Sequence, residues 1–358
     1  INIAVIKSLR MTKLFIRPLQ NLMANKGQKL HFFIVLSAIV ALNACKESNC
    51  IDAPDVSNIQ VDIAIDRFDQ KVNRAGSYEE LSQLLNKYPS VKNLVLHADQ
   101  YPNDSLLNRR YYNLMSNPYI DSLKMDVENE FGDLTEIEGQ FETAFKHVKY
   151  YYPEVKAPKI LTVITGLAHD LYISDSLIVI GLDYFLGPGA KYKPMNQPDY
   201  ILKRYQKPYM VPQIMMLYAS RFIDTEYDDQ TALAEMIFYG KAYEFAKNTL
   251  PCTPDSLFTG YTSTETKEVN QYENVIWASI IENEYLYETS HVDKQKILGE
   301  RPKTYEISQE CPGRIGRWVG WQIVKKYRQD HPETPLPSLL EMKDARRIFN
   351  QSGYKPMN

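Results

Sequence analysis

Several common catalytic signatures are missing from this sequence of 358 residues. It has only four cysteines, and no two of them have the CxxC spacing of thiol zinc sites or thioredoxin-like motifs. No GxSxG elbow, P-loop or Rossmann glycine pattern is present. None of the six histidines lies within five residues of another, so HExxH and similar paired metal ligands are also missing. The sequence thus carries none of the familiar motifs of zinc peptidases, serine hydrolases or nucleotide-binding enzymes.

The chain also lacks the basic excess of a general nucleic-acid-binding protein, because its formal net charge is −3. Apolar residues make up 44% and charged residues 24%, which are ordinary values for a globular protein with a sizeable core. The charge is uneven, however. Residues 1–44 contain six basic residues and no acid, which leaves 35 basic against 44 acidic residues in the remainder. The first 44 residues are therefore a different kind of segment.

A short apolar run follows a basic flank in this first segment. Lys26 and Lys29 precede residues 32–42, which contain a single polar side chain. At 1.5 Å per residue, such a helix is too short for a hydrocarbon core of ~30 Å, and the pattern is typical of a secretory signal peptide. We expect translation to start at Met23, with residues 1–22 upstream of the true start.

The apolar run ends in Leu42-Asn43-Ala44-Cys45, which resembles a bacterial lipobox with leucine at −3, a small residue at −1 and cysteine at +1. The Cys45 thiol would take a diacylglyceryl group, and cleavage before it would free an amine for a further acyl chain. Several acyl chains give stable membrane anchoring. The alternative is an ordinary signal peptide that stops near a cysteine. Since Lys46 at +2 does not favour the inner membrane, we predict an outer-membrane anchor, on the periplasmic side or the surface.

The mature chain reads as a lipidated tether, residues 45–58, followed by one domain, residues 59–358. Alternating or continuous apolar runs predict four strands, at residues 61–66, 159–165, 171–173 and 177–184. Helical patterns dominate the rest. The predicted fold class is therefore α+β, mostly helical with a small mixed sheet.

Local signals place several helix ends and faces. Pro212 suits a first helical turn, and Thr262 with Glu265 has capping-box spacing. An apolar face at i, i+3, i+4 and i+7 predicts an amphipathic helix that stops at Leu250-Pro251. Glycines at 313, 316 and 320 predict a later helix that packs closely against a neighbour.

The cysteines outside the leader leave two interpretations open. Export would place Cys252 and Cys311 in an oxidising compartment, where a disulfide between them could form. Such a pair needs a spatial proximity that sequence cannot show. Cys50 is interpreted as a chance residue of the tether.

The C-terminal two-thirds of the chain resembles a known family, the gliding-motility lipoprotein GldB of gliding Gram-negative bacteria. The matching stretches occur in order over more than 100 residues. They are Gly240-Lys241-Ala242-Tyr243, Leu250-Pro251, Pro254-Asp255-Ser256, Gly260-Tyr261-Thr262, Trp277, Tyr285-Leu286-Tyr287, Pro312-Gly313-Arg314-Ile315-Gly316, Gly320-Trp321-Gln322-Ile323-Val324 and Ser352-Gly353-Tyr354-Lys355-Pro356.

The same region is distantly similar to predicted zinc peptidases, in which an HExxH helix is followed by a helix reading EGxA. That similarity implies a zincin-like fold whose metal site is lost. Pro212 and Met216 would replace the two histidines, Gln213 the general base and Tyr239 the last ligand. We expect the two helices to cross with residues 212–216 facing residue 239, and no metal between them.

The resemblance implies a non-catalytic, degenerate zincin-like lipoprotein of the cell envelope that is required for gliding motility. It implies protein partners in the machinery that secretes and moves surface adhesins, and no cofactor. One alternative is an active, metallopeptidase-like envelope hydrolase. The other is a glycan-binding surface lipoprotein, for which the 26 tyrosines are the supporting observation.

Overall fold

A four-stranded mixed sheet lies at the centre of the first half of the domain. The computed structural model describes residues 50–356, and the chain from Cys50 onward forms one compact unit. The strands are β1 (Ile65–Arg67), β2 (Lys159–Val163), β3 (Leu171–Ile173) and β4 (Leu177–Gly181). Their order is β1-β2-β4-β3; β1, β2 and β4 are parallel, and β3 is antiparallel to β4. The predicted mixed sheet is confirmed.

The two central strands are buried along almost their whole length. Both read as continuous apolar runs because helices cover the parallel part of a sheet on both faces. Thr162 of β2 lies opposite Arg67 of β1 and Ile180 of β4, which fixes the register. The carboxyl ends of β2 and β4 therefore meet at one edge of the sheet.

Five helices lie between β1 and β2. They are α1 (Phe68–Arg74), α2 (Tyr78–Lys87), α3 (Asp104–Met115), α4 (Pro118–Phe131) and α5 (Thr135–Tyr151). A π-helical turn, Val91–Val95, and a 3₁₀ turn, Ala98–Gln100, connect α2 to α3. Asn117 caps α4 through its side chain, and Pro118 occupies the first turn, where its missing N–H costs nothing.

Ten helices follow the sheet. They are α6 (Asp199–Leu202), α7 (Lys207–Tyr218), α8 (Ala232–Thr249), α9 (Asp255–Thr259), α10 (Ser263–Gln271), α11 (Glu273–Glu282), α12 (His291–Leu298), α13 (Ile315–Asp330), α14 (Leu336–Glu341) and α15 (Ala345–Ser352). Three 3₁₀ turns, Leu182–Leu186, Ala219–Arg221 and Tyr285–Tyr287, complete this half. Within residues 50–356, none of the helices combines the length and the hydrophobicity that crossing a membrane requires. The fold is α+β and mostly helical, as predicted.

Helices α8 and α13 form the main helix pair of the second half. A Cβ on Gly240 would lie 2.3 Å from the Gly320 carbonyl oxygen, and a Cβ on Gly320 would lie 1.9 Å from that of Met236. Only glycine permits this approach of two helix backbones. The prediction that Gly320 serves close helix packing is confirmed.

Helix α7 begins at Lys207, five residues before Pro212. Pro208 lies in its first turn, and Pro212 lies inside the helix and is buried. The prediction that Pro212 starts the helix is therefore wrong. Since Pro212 has no N–H to donate to the Pro208 carbonyl, α7 forms despite this proline and not because of it.

The described part of the tether is fixed to the domain. Cys50 forms a disulfide with Cys252, and the Ile51 N–H donates to the Pro251 carbonyl at 3.1 Å. Cys252 therefore does not pair with Cys311, which is a buried thiol whose pKa burial raises to about 12. The interpretation of Cys50 as a chance residue is wrong, because the Cys50 disulfide joins the tether covalently to the segment that follows α8.

Candidate functional site

Helix α7 carries three of the four positions at which a metal site was expected to be lost. It packs against α8, which carries the fourth. Pro212 is buried, whereas Gln213 and Met216 are half-buried. Met216 packs against the core, and the Gln213 side-chain amide donates to the Arg204 carbonyl at 3.4 Å. None of these three side chains offers the nitrogen or charged oxygen that zinc prefers.

Tyr239 of α8 is half-buried where the two apolar clusters of the core meet. The Arg317 guanidinium lies over its ring, 4.2 Å from the centroid, which is a cation–π distance. Tyr239 thus contacts a cation, and that positive charge would repel a metal ion bound to Tyr239.

Arg317 belongs to a group that we call the arginine cluster: Arg204, Arg314 and Arg317 around Glu300. Arg204 holds the Glu300 carboxylate with both terminal nitrogens, at 3.3 and 2.6 Å. The Arg317 Nη1 lies 3.3 Å from one carboxylate oxygen, and the Arg314 Nε lies 3.6 Å from the other. Gln213 contacts Arg204 and Tyr239 contacts Arg317, so both residues lie directly against this cluster.

Local geometry explains why these four residues meet. Arg204 follows α6, Glu300 follows α12, and α13 supplies both of the other arginines at its start. Arg314 adopts a left-handed backbone, φ 62°, and its guanidinium donates to the Thr259 carbonyl at 2.6 Å. A Cβ on Gly313 would lie 1.9 Å from the Arg301 carbonyl oxygen. The glycine therefore lets the start of α13 lie directly against the segment that carries Glu300.

Burial and charge act in opposite directions on the cluster. Burial alone would raise the pKa of Glu300, but the guanidinium groups of Arg314, Arg204 and Arg317 hold it below its ordinary value. Burial, and then the neighbouring Arg314 charge, lower the pKa of Arg204. Glu300 is therefore ionised at neutral pH and is the counter-ion of three cations.

A second ion group borders the first. Glu265 accepts from Lys203 and from Lys303, each at 3.2 Å, and its carboxylate also caps α10 through the Thr262 N–H. Burial would raise the pKa of Glu265, but the Thr262 hydrogen bond and the Lys203 charge outweigh it and lower the value to about 2. Members of both groups line one narrow cleft between α6, α10 and the start of α13.

Histidine does not assemble a metal site in the described chain. The His97 and His169 rings contact each other, with centroids 4.8 Å apart, on the loops after the π-helical turn and after β2. Burial and the neighbouring His97 lower the pKa of His169. Across residues 50–356, no three His, Cys, Asp or Glu side chains are grouped as a metal ion would need.

Gly240, Lys241 and Tyr243 make contacts that stabilise the fold. Gly240 contacts α13 directly, and Tyr243 stacks on Trp321 with ring centroids 5.0 Å apart. Lys241 is buried and donates to the Asp224, Leu340 and Met342 carbonyls. These contacts join α8 to α13 and to the C-terminal helices.

A family model described as "Gliding motility protein GldB" matches residues 49–356. The chain belongs to this family. The match covers nearly all of residues 45–358, so the GldB resemblance is confirmed. No curated protein and no solved structure matches the chain. The similarity to zinc peptidases stays a prediction.

Sequence reasoning named Gln213 and Tyr239 but missed the arginine cluster between them. A local signal was available, because Arg314 and Arg317 are three residues apart at the start of a helix and so share a face. Their partner Glu300 and the third cation Arg204 come from distant segments. Cys45 lies outside the described residues, so its lipidation also stays a prediction.

Proposed function

We propose that this GldB-family protein is a lipid-anchored lipoprotein of the cell envelope that is required for gliding motility and acts through contacts and not through turnover. The family match over residues 49–356 is the observation that carries the proposal. The contacts would be with the machinery that secretes and moves surface adhesins. The anchor would be Cys45, most simply in the outer membrane.

The disulfide supports an envelope location. Cys50 and Cys252 are paired, and disulfides persist in oxidising compartments such as the bacterial periplasm and the cell surface. Cys50 also lies only five residues after the proposed lipidation site. The Cys50–Cys252 disulfide would therefore hold the domain close to its lipid anchor.

The anchor is tested by metabolic labelling with a radioactive fatty acid. We expect label in the wild-type protein and none in a Cys45→Ala variant, because the thioether and the cleavage before it both need that cysteine. Cys311→Ala is the matched control and should label normally. Label in the Cys45→Ala protein would show that the attachment site is elsewhere.

The non-catalytic part of the proposal rests on side-chain chemistry. Pro212 has no side-chain donor, Met216 offers a thioether that suits copper(I) better than zinc, and Gln213 cannot accept a proton as a glutamate does. Tyr239 lies under the Arg317 guanidinium. These replacements support a contact role at the positions where a peptidase would hold its metal.

The cellular role is tested by a clean deletion. Cells without the gene should attach and grow normally but fail to glide and spread, and the restored gene should return movement. Normal spreading of the deletion strain would remove the motility assignment and favour the glycan-binding alternative. Protein levels of the restored gene, measured in the same cells, provide the control for expression.

A further inference from the structure

The three arginines of the arginine cluster carry more positive charge than its single carboxylate, Glu300, neutralises. We propose that it is a binding site for a carboxylate group of a partner protein, and that Glu300 occupies this site in the unbound protein. The partner's being a protein rests on the proposed function. The binding chemistry itself rests on the cluster and is tested without cells.

The charge excess is the first argument. Three arginines share the single Glu300 carboxylate, and two lysines share Glu265. Five cations thus face two anions in a protein whose sequence after residue 44 is acidic. This local excess of positive charge attracts anions.

Burial strengthens the attraction. The side chains of Arg204 and Arg314 are only 10% and 9% exposed. Charges that water no longer screens interact more strongly with an approaching anion. The Arg204 Nε is buried and has no hydrogen-bond partner in the part of the chain that the structure describes. Glu300 therefore does not use all the donors that the cluster offers.

The start of α13 adds to this field. The helix is 16 residues long, and the side chain of its N-cap residue, Arg314, does not cap its first turn. The N-terminus of a helix carries a partial positive charge, which favours a nearby anion. Arg314 and Arg317 lie at this same end, so the helix dipole and the guanidinium groups act together.

The geometry favours a carboxylate as the ligand. Both terminal nitrogens of Arg204 contact Glu300, one on each carboxylate oxygen, which is the fork arrangement that suits a planar carboxylate. The Glu300 side chain is 37% exposed, whereas all three of its arginine partners are less than half as exposed. It can therefore exchange with solvent while a partner's carboxylate takes its place.

Binding of a tetra-glutamate peptide, measured by calorimetry on the purified protein, tests the proposal. Glu300→Gln removes the internal competitor, so we expect it to bind the peptide at least about tenfold more tightly than wild type if the open state is about 10% populated or less. Glu142→Gln is the control for the loss of one negative charge, since Glu142 pairs with Lys146 on α5 and does not line the cleft. It should bind like wild type, whereas Arg317→Gln should bind more weakly.

Two further comparisons keep the result interpretable. Tetra-glutamine should not bind any of the proteins, and at equal ionic strength tetra-glutamate alone should raise the melting temperature of the wild type. A smaller rise for Arg317→Gln than for the wild type would assign this binding to the cluster even if Glu300→Gln does not fold. Equal binding by wild type, Glu300→Gln and Arg317→Gln would overturn the proposal. Tighter binding of inorganic phosphate than of the peptide would overturn the carboxylate assignment.

Discussion

Asp183 is a deeply buried carboxyl group at the sheet edge where β2 and β4 end. Its Oδ2 accepts from the Thr165 N–H at 3.1 Å and the Leu167 N–H at 2.7 Å. Its Oδ1 is buried without a hydrogen-bond partner among the described residues. Burial raises the pKa of Asp183 to about 6, despite these backbone donors. The side chain therefore orders the loop after β2 but carries an uncompensated charge at neutral pH.

We predict that Asp183 makes the protein less stable as pH rises from about 4 to about 6. Its folded pKa lies above the unfolded value, so the folded state binds the proton more tightly and loses that advantage as the proton leaves. Two pKa units correspond to about 2–3 kcal/mol of unfolding free energy. Chemical denaturation at pH 4, 5, 6 and 7 measures the effect.

Asp183→Asn is the matching variant, because the amide keeps an acceptor for the two N–H groups and cannot ionise. The difference in unfolding free energy between variant and wild type should move in the variant's favour from pH 4 to pH 6. A difference that is constant over this range would show that Asp183 does not titrate there.

The residues that were predicted correctly are those whose partners are close in sequence. Thr262 and Glu265 form the expected capping box, with both reciprocal hydrogen bonds present. Asp183 and the arginine cluster depend on partners from other elements. No sequence spacing could show that Glu300 lies beside Arg204, since 96 residues separate them.

At the scale of elements, the close approach of α8 and α13 is sensitive to substitution. We predict that Gly320→Ala destabilises the protein by about 1–3 kcal/mol, because the new methyl group would collide with the Met236 backbone and push the helices apart. Thermal or chemical denaturation measures the loss.

Gly139→Ala in α5 is the control for helix propensity. A Cβ at Gly139 meets no atom within 4 Å, so alanine there should stabilise by about 0.5–1 kcal/mol. Opposite signs for the two substitutions would assign the loss to backbone contact. An equally stabilising Gly320→Ala would contradict the packing described here.

The pattern of apolar residues predicted α8 well. The face of Leu233, Met236, Ile237 and Tyr243 is buried, and the helix ends at Thr249, directly before Leu250-Pro251. It did not reveal that α8 is buried on all sides from Gly240 onward, because that depends on which elements surround it. The position of Pro212 within α7 was predicted wrongly for a related reason, since Pro208 and Pro212 are both compatible with a first helical turn.

At the scale of the whole molecule, the Cys50–Cys252 disulfide joins the tether to the end of α8 and links residues that are far apart in sequence. Cys50 and Cys252 are 202 residues apart, so the disulfide restricts a large loop of the unfolded chain. We predict that Cys50→Ser lowers the unfolding free energy by about 2–5 kcal/mol. Denaturation of the purified protein without reductant measures the loss.

A reductant provides the control for this prediction. It should destabilise the wild type by a similar amount and leave Cys50→Ser unchanged, because neither of the two described cysteines that remain is in a disulfide: Cys252 has lost its partner and Cys311 is a buried thiol. If reduction also destabilised Cys50→Ser, the effect would have another origin. Sequence could not predict this pairing, because connectivity depends on which distant segments meet.

We propose that the protein acts through contacts with partner proteins at the positions where a zinc peptidase would hold its metal. Metal analysis of the purified mature protein, with a peptidase assay in the presence and absence of a chelator, tests it most directly. We predict zinc far below one ion per chain and no activity that the chelator removes. Near-stoichiometric zinc, or chelator-sensitive cleavage of peptides, would contradict the account.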